Sequence, residues 1–196
     1  MENYDIYVED RIEDETINIQ FKDRDTIEIF LNKGSSFGSK HTTTLLSIES
    51  LKFLFQKDGR IVNSLDLGSG SGILSILIKK LGGRFVDSCE IDEFAKMESI
   101  KNFKSNISKD LDLPSFVEAP LLKIKQYNLI VANISGRFLP DNFPRISKII
   151  KPNGYLIISG FNLNKEEKYV KLLKDLNCLM IHKFTKKPWI SMIFKK

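Results

Sequence analysis

The chain has 196 residues, enough for one full hydrophobic core and too few for two domains of ordinary size. Hydrophobic residues make up 42% and charged residues 28% of the sequence, which is the balance of a water-soluble globular protein. It has no apolar run of membrane-span length, no signal peptide, two cysteines and two histidines. This composition argues against a membrane protein, a disulfide framework and a metal cluster, and it predicts a cytoplasmic protein.

Charge is distributed unevenly along the chain. Residues 1–28 contain 10 acidic and 3 basic side chains, a net charge of −7, and residues 29–196 contain 15 acidic and 27 basic ones, a net charge of +12. The basic part is interpreted either as a surface for an acidic partner such as ribosomal RNA or as lysines scattered over solvated helix faces. The helical spacing of Lys168, Lys171 and Lys174 favours the second interpretation.

The N-terminal segment has the period of β-strands. Two runs of alternating apolar residues flank the turn sequence KDRD: Ile17, Ile19 and Phe21, then Ile27, Ile29 and Leu31. They predict a hairpin within a short acidic β arm over residues 1–34. From Thr42 to Phe55, apolar residues instead recur at helical spacing, which predicts a helix.

Beyond this helix, strand-like and helical segments alternate. The strand-like segments are residues 61–67, 84–91, 115–120, 127–133, 154–160, 179–187 and 189–196. The helical segments are residues 72–81, 93–106, 142–151 and 164–176. This alternation predicts an α/β fold with a mainly parallel sheet, helices on both of its faces, and an antiparallel final strand in the closing hairpin.

A glycine-rich turn, LDLGSGSG, follows the first strand of this alternation and begins its first helix. Gly68, Gly70 and Gly72 allow a tight turn and a close approach of the backbone to a ligand. In a dinucleotide fingerprint the third glycine comes one residue later, where this chain has Ile73. Together with Asp66, which precedes the loop, this spacing favours a nucleoside that carries a carboxylate and an ammonium group rather than a pyrophosphate.

Two polar residues lie at the predicted ends of neighbouring strands. Glu90 follows Gly72 by 18 residues, close to the spacing of acids that accept hydrogen bonds from ribose hydroxyls. Ile91 is assigned to the same ligand site, and Asp92 is predicted to cap the next helix. Asn133 ends an apolar strand, where its amide could contact a ligand and an incoming nucleophile, or could cap local backbone.

Several runs resemble the PrmA-type ribosomal protein methyltransferases in order and rough spacing, over about residues 35–196. They are FGSKHTTT, LDLGSGSGIL, EID, VANI and KPNGYLIISG. The resemblance implies a Rossmann-like class I methyltransferase with a seven-stranded sheet, S-adenosylmethionine as cofactor, and methylation of protein amino groups, with a ribosomal protein (large-subunit protein eleven) as the acceptor. By position it implies that Thr44, Gly68, Glu90 and Asn133 contact the cofactor.

The same resemblance gives a role to the hydroxyl-rich run Ser35–Thr44. This run is expected to fold over the methionine end of the cofactor, with Thr44 near a helix start where free N–H groups can meet a carboxylate. His41 either lines the methyl-transfer pocket or lies at the helix start. Because the sulfonium already activates the methyl group, we assign Asn133 and His41 to positioning the acceptor rather than to acid–base catalysis.

Departures from the family pattern keep alternatives open. An acidic arm, residues 1–34, precedes a methyltransferase domain at residues 35–196, in place of the family's recognition domain. Ala119 and Pro120 replace a Gly-Asp pair that receives adenine. The alternatives are an RNA or small-molecule amine methyltransferase and a non-catalytic cofactor-binding protein. The sequence NISG after the fourth strand lacks the N-P-P-[YF] run of enzymes that methylate bases, which argues against a flipped base.

Overall fold

The computed structural model describes residues 6–11, 14–22, 24–32, 40–59, 61–108, 111–118 and 125–196. Within these ranges it has ten β-strands and five α-helices. The strands are β1 (Ile6–Asp10), β2 (Asp14–Ile19), β3 (Ile27–Asn32), β4 (Asn63–Leu67), β5 (Phe85–Cys89), β6 (Ser115–Phe116), β7 (Tyr127–Asn133), β8 (Ile150–Asn162), β9 (Leu179–Lys186) and β10 (Trp189–Lys195). The helices are α1 (Thr42–Lys57), α2 (Ile73–Lys80), α3 (Glu93–Asn106), α4 (Phe138–Ile149) and α5 (Glu166–Lys174), with a 3₁₀ turn at Leu163–Lys165.

Seven strands form the central sheet in the order β6-β5-β4-β7-β8-β10-β9. The pairs from β6 to β8 are parallel, and β10 runs antiparallel to both of its neighbours. The predicted α/β fold, with a mainly parallel seven-stranded sheet and an antiparallel final strand, is therefore confirmed. Because the chain continues from β4 to β5 on one side and β7 pairs on the other, the strand order reverses at β4, and the carboxyl end of β4 is where such sheets bind ligands.

The two faces of the sheet are buried against different elements. On one face, α4 and α5 contribute Phe143, Ile146 and Leu173 to a cluster with strand residues such as Ile130 and Ile158. On the other face, the cluster contains α1, α2 and the intervening residues of the same strands, Val131 and Ile157 among them. Alternate residues of the buried strands thus serve opposite faces, and their near-continuous apolar runs follow from this double burial.

Helix α4 corresponds to the helix predicted at residues 142–151, but it begins four residues earlier, at Phe138. Pro140 lies in its first turn, where backbone N–H groups have no intrahelical partner, so the proline removes no hydrogen bond there. Pro144 lies inside the helix. The chain enters β8 directly at Ile150, so the predicted C-terminal end is two residues too long.

The N-terminal strands form a separate three-stranded antiparallel sheet in the order β1-β2-β3. The predicted hairpin is its β2–β3 pair, and β1 is an additional strand. The fully buried Ile17, Ile19 and Ile29 join the hydrophobic cluster of α1 and α2. The sheet is therefore packed on the central core. The division at residue 34 lies outside the described residues and stays a prediction.

Burial of the N-terminal sheet leads to a stability prediction. Replacing Ile17, which is 0% exposed, by Ala should lower the free energy of unfolding by about 2–5 kcal/mol, because it removes apolar contacts and leaves a cavity. Ile91→Ala is the matched control, since that side chain is 94% exposed and should cost less than about 0.5 kcal/mol. Chemical denaturation of the two variants makes the comparison. Equal small losses would mean that the sheet does not belong to the cooperative core.

Within the described residues, no helix is both long and apolar enough to cross a membrane.

Candidate functional site

The glycine-rich loop connects β4 to α2 at the strand switch point. Gly68, Gly70 and Gly72 have φ angles of +74°, +52° and +81°, in the left-handed region that favours glycine. The backbone N–H groups of Gly68 and Ser69 donate to the carbonyl of Cys89, at 2.8 and 3.1 Å. These bonds hold the loop against the end of β5, so the first two parallel strands end at one shared site.

The two later glycines have different surroundings. A Cβ on Gly72 would lie 2.4 Å from Cε1 of Phe103, so this glycine lets α3 pack directly on the loop. A Cβ on Gly70 would meet nothing within 4 Å among the described atoms. The loop therefore has one face packed against α3 and one face open at Gly70, which is the form of a backbone cradle for a ligand.

Asp66 lies beneath this loop with 1% exposure. Its Oδ2 accepts hydrogen bonds from the backbone N–H and the hydroxyl of Ser75, at 3.0 and 2.7 Å. Its Oδ1 is buried without a hydrogen-bond partner among the described residues. Burial raises the pKa of Asp66 from 3.8 to about 7, against the lowering effect of the Ser75 bonds, and the nearby charge of Glu90 raises it further.

The raised pKa of Asp66 predicts a pH dependence of stability. Between pH 4 and 7 the folded protein holds a proton on Asp66 that the unfolded chain releases, so this group makes stability fall as pH rises, by up to about 4 kcal/mol. Asp66→Asn should therefore stabilise the protein more at pH 7.5 than at pH 5. Denaturation at both pH values tests this, with the exposed Asp25→Asn as control. The same gain at both pH values would rule out a raised pKa.

The carboxylate of Glu90 is bound by backbone N–H groups on two sides. Oε2 accepts from the N–H of Gly70 at 2.8 Å. Oε1 accepts from Ile91 at 2.7 Å and from Asp92 at 3.0 Å. Glu90 thus connects the glycine loop to the start of α3, and Ile91 beside it is 94% exposed. Three acceptor positions are occupied, and a carboxylate with about four leaves little capacity for two further hydroxyls in this arrangement.

Thr44 and Asn133 meet across the opposite side of the site. Nδ2 of Asn133 donates to Oγ1 of Thr44 at 3.2 Å, which joins the first turn of α1 to the end of β7. Oδ1 of Asn133 is buried and has no hydrogen-bond partner within the described part of the chain. A buried amide oxygen without a partner is costly, which makes this atom a candidate acceptor for an N–H donor of a bound molecule.

His41 has a structural role at the start of α1. It is the N-cap residue, and its Nδ1 accepts from the backbone N–H of Thr43 at 3.3 Å and lies 2.9 Å from Oγ1 of the same residue. Its ring packs edge-on against Trp189, with ring centroids 5.0 Å apart. These contacts fit the helix-start interpretation, while a catalytic role for His41 stays a prediction.

The structure joins the sequence-predicted residues in two pairs of contacts, Glu90 with Gly70 and Asn133 with Thr44. Residues 35–39 of the predicted Ser35–Thr44 run, and the Ala119–Pro120 pair, lie outside the described residues.

Sequence reasoning missed several polar side chains that support this site. Ser75 and Ser88 share a hydrogen bond of 2.7 Å beneath Asp66, and Asn102 donates to the carbonyl of Ser71 at 2.9 Å. Serines inside apolar segments were the available signal for the first pair. For Asn102 the signal is its i, i+4 spacing from Asn106 on α3.

The sequence model of the family described as "Ribosomal protein L11 methyltransferase (PrmA)" matches residues 9–196. A curated ribosomal protein L11 methyltransferase from Prochlorococcus marinus is 30% identical over 186 residues, covering 92% of this chain and 60% of that protein. The crystal structure of a ribosomal protein L11 methylase from Lactobacillus delbrueckii subsp. bulgaricus is 26% identical, with a TM-score of 0.73, and the match covers 84% of this chain and 82% of that one.

A more distant structure shares the fold alone. The 16S rRNA N2 methyltransferase RsmC of T. thermophilus, solved with AdoMet and guanosine, has a TM-score of 0.70 at 17% identity, covering 95% of this chain and 51% of that one. The present chain spans about 60% of the length of the first curated relative. On the match of residues 9–196, this chain belongs to the ribosomal protein L11 methyltransferase (PrmA) family.

Proposed function

We propose that this chain is an S-adenosylmethionine-dependent N-methyltransferase that modifies amino groups, of lysine or of the N-terminus, on a protein. Membership of the PrmA family supports this reaction class. The names of the curated relatives support ribosomal protein L11 as the first acceptor to test.

The proposed cofactor site uses the residues around the glycine loop. The open face at Gly70 and the left-handed loop backbone suit a nucleoside lying close to the main chain. We assign the methionine end to Gly68, Asp66 and Thr44. The ribose and adenine side is assigned to Glu90 and Ile91. Gly72 contributes by letting α3 support the loop, since a Cβ there would overlap Phe103.

Ribose binding at Glu90 requires a change of partners. The carboxylate already accepts three backbone N–H groups, including that of Gly70. A ribose hydroxyl can use the remaining acceptor position or replace the Gly70 N–H on Oε2. In the second case the N–H of Gly70 becomes available to the ligand, so the loop and the acid would adjust together. Glu90 is therefore proposed both to bind the sugar and to position the loop.

Asn133 is proposed to position the acceptor amine. When bound, S-adenosylmethionine supplies a methyl carbon activated by its positively charged sulfur. The unpartnered Oδ1 of Asn133 can accept an N–H from the acceptor amine, which turns the nitrogen lone pair toward that carbon. Thr44 fixes the amide orientation by accepting from Nδ2. Because a protonated amine has no lone pair and Asn133 cannot act as a base, the amine must arrive neutral, and the proton it loses passes to water.

The single observation that carries the proposal is Asn133 at the carboxyl end of β7: its Nδ2 donates to Thr44, while its buried Oδ1 has no hydrogen-bond partner among the described residues. The test is incubation of the purified chain with methyl-labelled S-adenosylmethionine and purified ribosomal protein L11, followed by mass spectrometry of the acceptor. Label on lysine or the N-terminal amine is the expected result. Label on added ribosomal RNA alone would replace the protein acceptor by RNA, and cofactor binding without any transfer would favour the non-catalytic alternative.

The proposal also covers the division of the chain, the compartment and a second partner. We propose a division into an N-terminal arm, residues 1–34, whose strands β1, β2 and β3 support the catalytic domain, and that domain, residues 35–196. We place the protein in the cytoplasm, where ribosomal proteins are available. Contact with ribosomal RNA is a secondary possibility, supported by the net charge of +12 over residues 29–196.

A further inference from the structure

Asn102 lies at the centre of α3 with 0% exposure, and both ends of its side-chain amide are bonded. Its Nδ2 donates to the carbonyl of Ser71 at 2.9 Å. Its Oδ1 accepts from the backbone N–H of Asn32 at 3.0 Å and from Nδ2 of the same residue at 3.0 Å. One side chain therefore joins the glycine loop to the last residue of β3. Asn102 is 31 residues from Ser71 and 70 residues from Asn32 in the sequence.

Asn106, one helical turn later, makes a comparable contact with β3, and its Nδ2 also donates to the main-chain carbonyl of Asn102 at 2.7 Å. Its Oδ1 accepts from the N–H of Phe30 at 2.8 Å, and its Nδ2 donates to the carbonyl of Phe30 at 2.6 Å. These bonds imitate the pairing of a neighbouring strand and occupy the outer edge of the three-stranded sheet. Asn106 thus ties the same strand to the same helix, and none of its recorded bonds reaches the glycine loop.

The loop atoms that Asn102 contacts lie inside the proposed cofactor cradle. Ser71 stands between Gly70, whose open face is assigned to the ligand, and Gly72, which packs on Phe103. The N–H of Gly72 donates to the carbonyl of Ser69 at 2.8 Å, which closes the loop on itself. The Asn102 amide is thus the polar part of the contact between α3 and the loop, and the Phe103 ring is its apolar part.

We propose that Asn102 is a positioning residue for the cofactor site, which couples the three-stranded N-terminal sheet to the glycine loop. The inference rests on the proposed function in taking this loop as the S-adenosylmethionine cradle. Loss of the Nδ2 donor leaves the buried carbonyl of Ser71 without this partner, which favours a shifted loop. Because coupling between two sites is reciprocal, a ligand that orders the loop must also order β3 through the same side chain.

Three variants separate this coupling from simple stabilisation. Asn102→Ala removes both links. Asn102→Asp keeps an acceptor for the N–H of Asn32 and removes the donor to Ser71, so it serves if the alanine variant does not fold. Asn106→Ala is the matched control, because it removes two bonds to β3 and one to the main-chain carbonyl of Asn102, and leaves the side-chain bond from Asn102 to Ser71 in place.

The first readout is calorimetric affinity for S-adenosylhomocysteine, with melting temperatures measured alongside. We expect both Asn102 variants to weaken binding about tenfold, which corresponds to about 1.4 kcal/mol. The affinity of Asn106→Ala should lie within about twofold of that of the parent, even if its melting temperature falls as far as those of the Asn102 variants. Equal affinity changes in the Asn102 and Asn106 variants would overturn the proposal, as would unchanged affinity in folded Asn102 variants.

The second readout is amide hydrogen exchange of the folded proteins without ligand. Both Asn102 variants should speed exchange at the N–H of Gly72, and Asn106→Ala should leave the exchange rate there unchanged. Substitution of either asparagine should speed exchange in β3. This comparison does not depend on the ligand, so failure of the parent to bind S-adenosylhomocysteine would refute the proposed function separately. Unchanged exchange at Gly72 in the Asn102 variants would overturn the link to the loop itself.

Discussion

Asn133→Ala is expected to lower the rate of methyl transfer by about 100-fold, because the acceptor amine loses the group that orients its lone pair and small misplacements cost this much. Affinity for S-adenosylhomocysteine should fall less, because the cofactor contact that the resemblance implies for Asn133 is one of several in the proposed site, which also includes its partner Thr44. Single-turnover transfer with labelled cofactor measures the first quantity and calorimetry measures the second.

The same strand supplies the control for this prediction. Asn128, near the opposite end of β7, accepts from the N–H of Asn63 at 3.2 Å and lies away from the site. Asn128→Ala should leave the transfer rate within about twofold, even if stability falls by about 1 kcal/mol. If Asn133→Ala transfers methyl groups as fast as the Asn128 variant, Asn133 is a capping residue and the proposed positioning of the amine is wrong.

Glu90→Ala should weaken binding of S-adenosylhomocysteine by about 2 kcal/mol, roughly 30-fold, because charge-assisted hydrogen bonds are worth about 1.5–3 kcal/mol. The variant loses the proposed ribose contact and also the bond that fixes Gly70, at 2.8 Å. Glu90→Asp keeps the charge and should have the milder effect. Calorimetry on the purified variants provides the affinities.

Glu93→Ala is the matched control for Glu90, since Glu93 lies in the exposed first turn of α3 and pairs only with Lys96 among its recorded partners, at 3.6 Å. Its affinity for S-adenosylhomocysteine should equal that of the parent. An unchanged affinity in Glu90→Ala would contradict both proposed roles of the carboxylate, ribose binding and positioning of the loop.

The sequence predicted the fold well where local signals were strong. The limits of α3, at Glu93–Asn106, and of β7, at Tyr127–Asn133, match the predicted segments. Helix α3 has a clear start because Asp92 accepts from the N–H groups of Phe94 and Ala95, at 2.8 and 3.1 Å, as a helix cap should. The start of α4 was missed because Pro140 resembles a helix break, although a proline in the first turn is tolerated.

The candidate site was only partly predictable, for a physical reason. The resemblance to the family's motifs was enough to expect Thr44 and Asn133 at one site, and they are in contact although 89 residues separate them. The i, i+4 spacing of Asn102 and Asn106 could mark a polar helix face but not the partners of Asn102, because its bonds depend on packing against residues 31 and 70 positions away in sequence. Likewise, the spacing of Glu90 from the glycine loop did not reveal that backbone N–H groups occupy its carboxylate.

The identity of the cofactor is the central claim, and one titration tests it most directly. The purified chain is titrated calorimetrically with S-adenosylhomocysteine and, separately, with NAD⁺. The account predicts one S-adenosylhomocysteine bound per chain and no measurable heat of binding for NAD⁺, because the third loop glycine comes one residue too early for a dinucleotide and Asp66 lies beneath the loop. Tight binding of NAD⁺ with none of S-adenosylhomocysteine would contradict it.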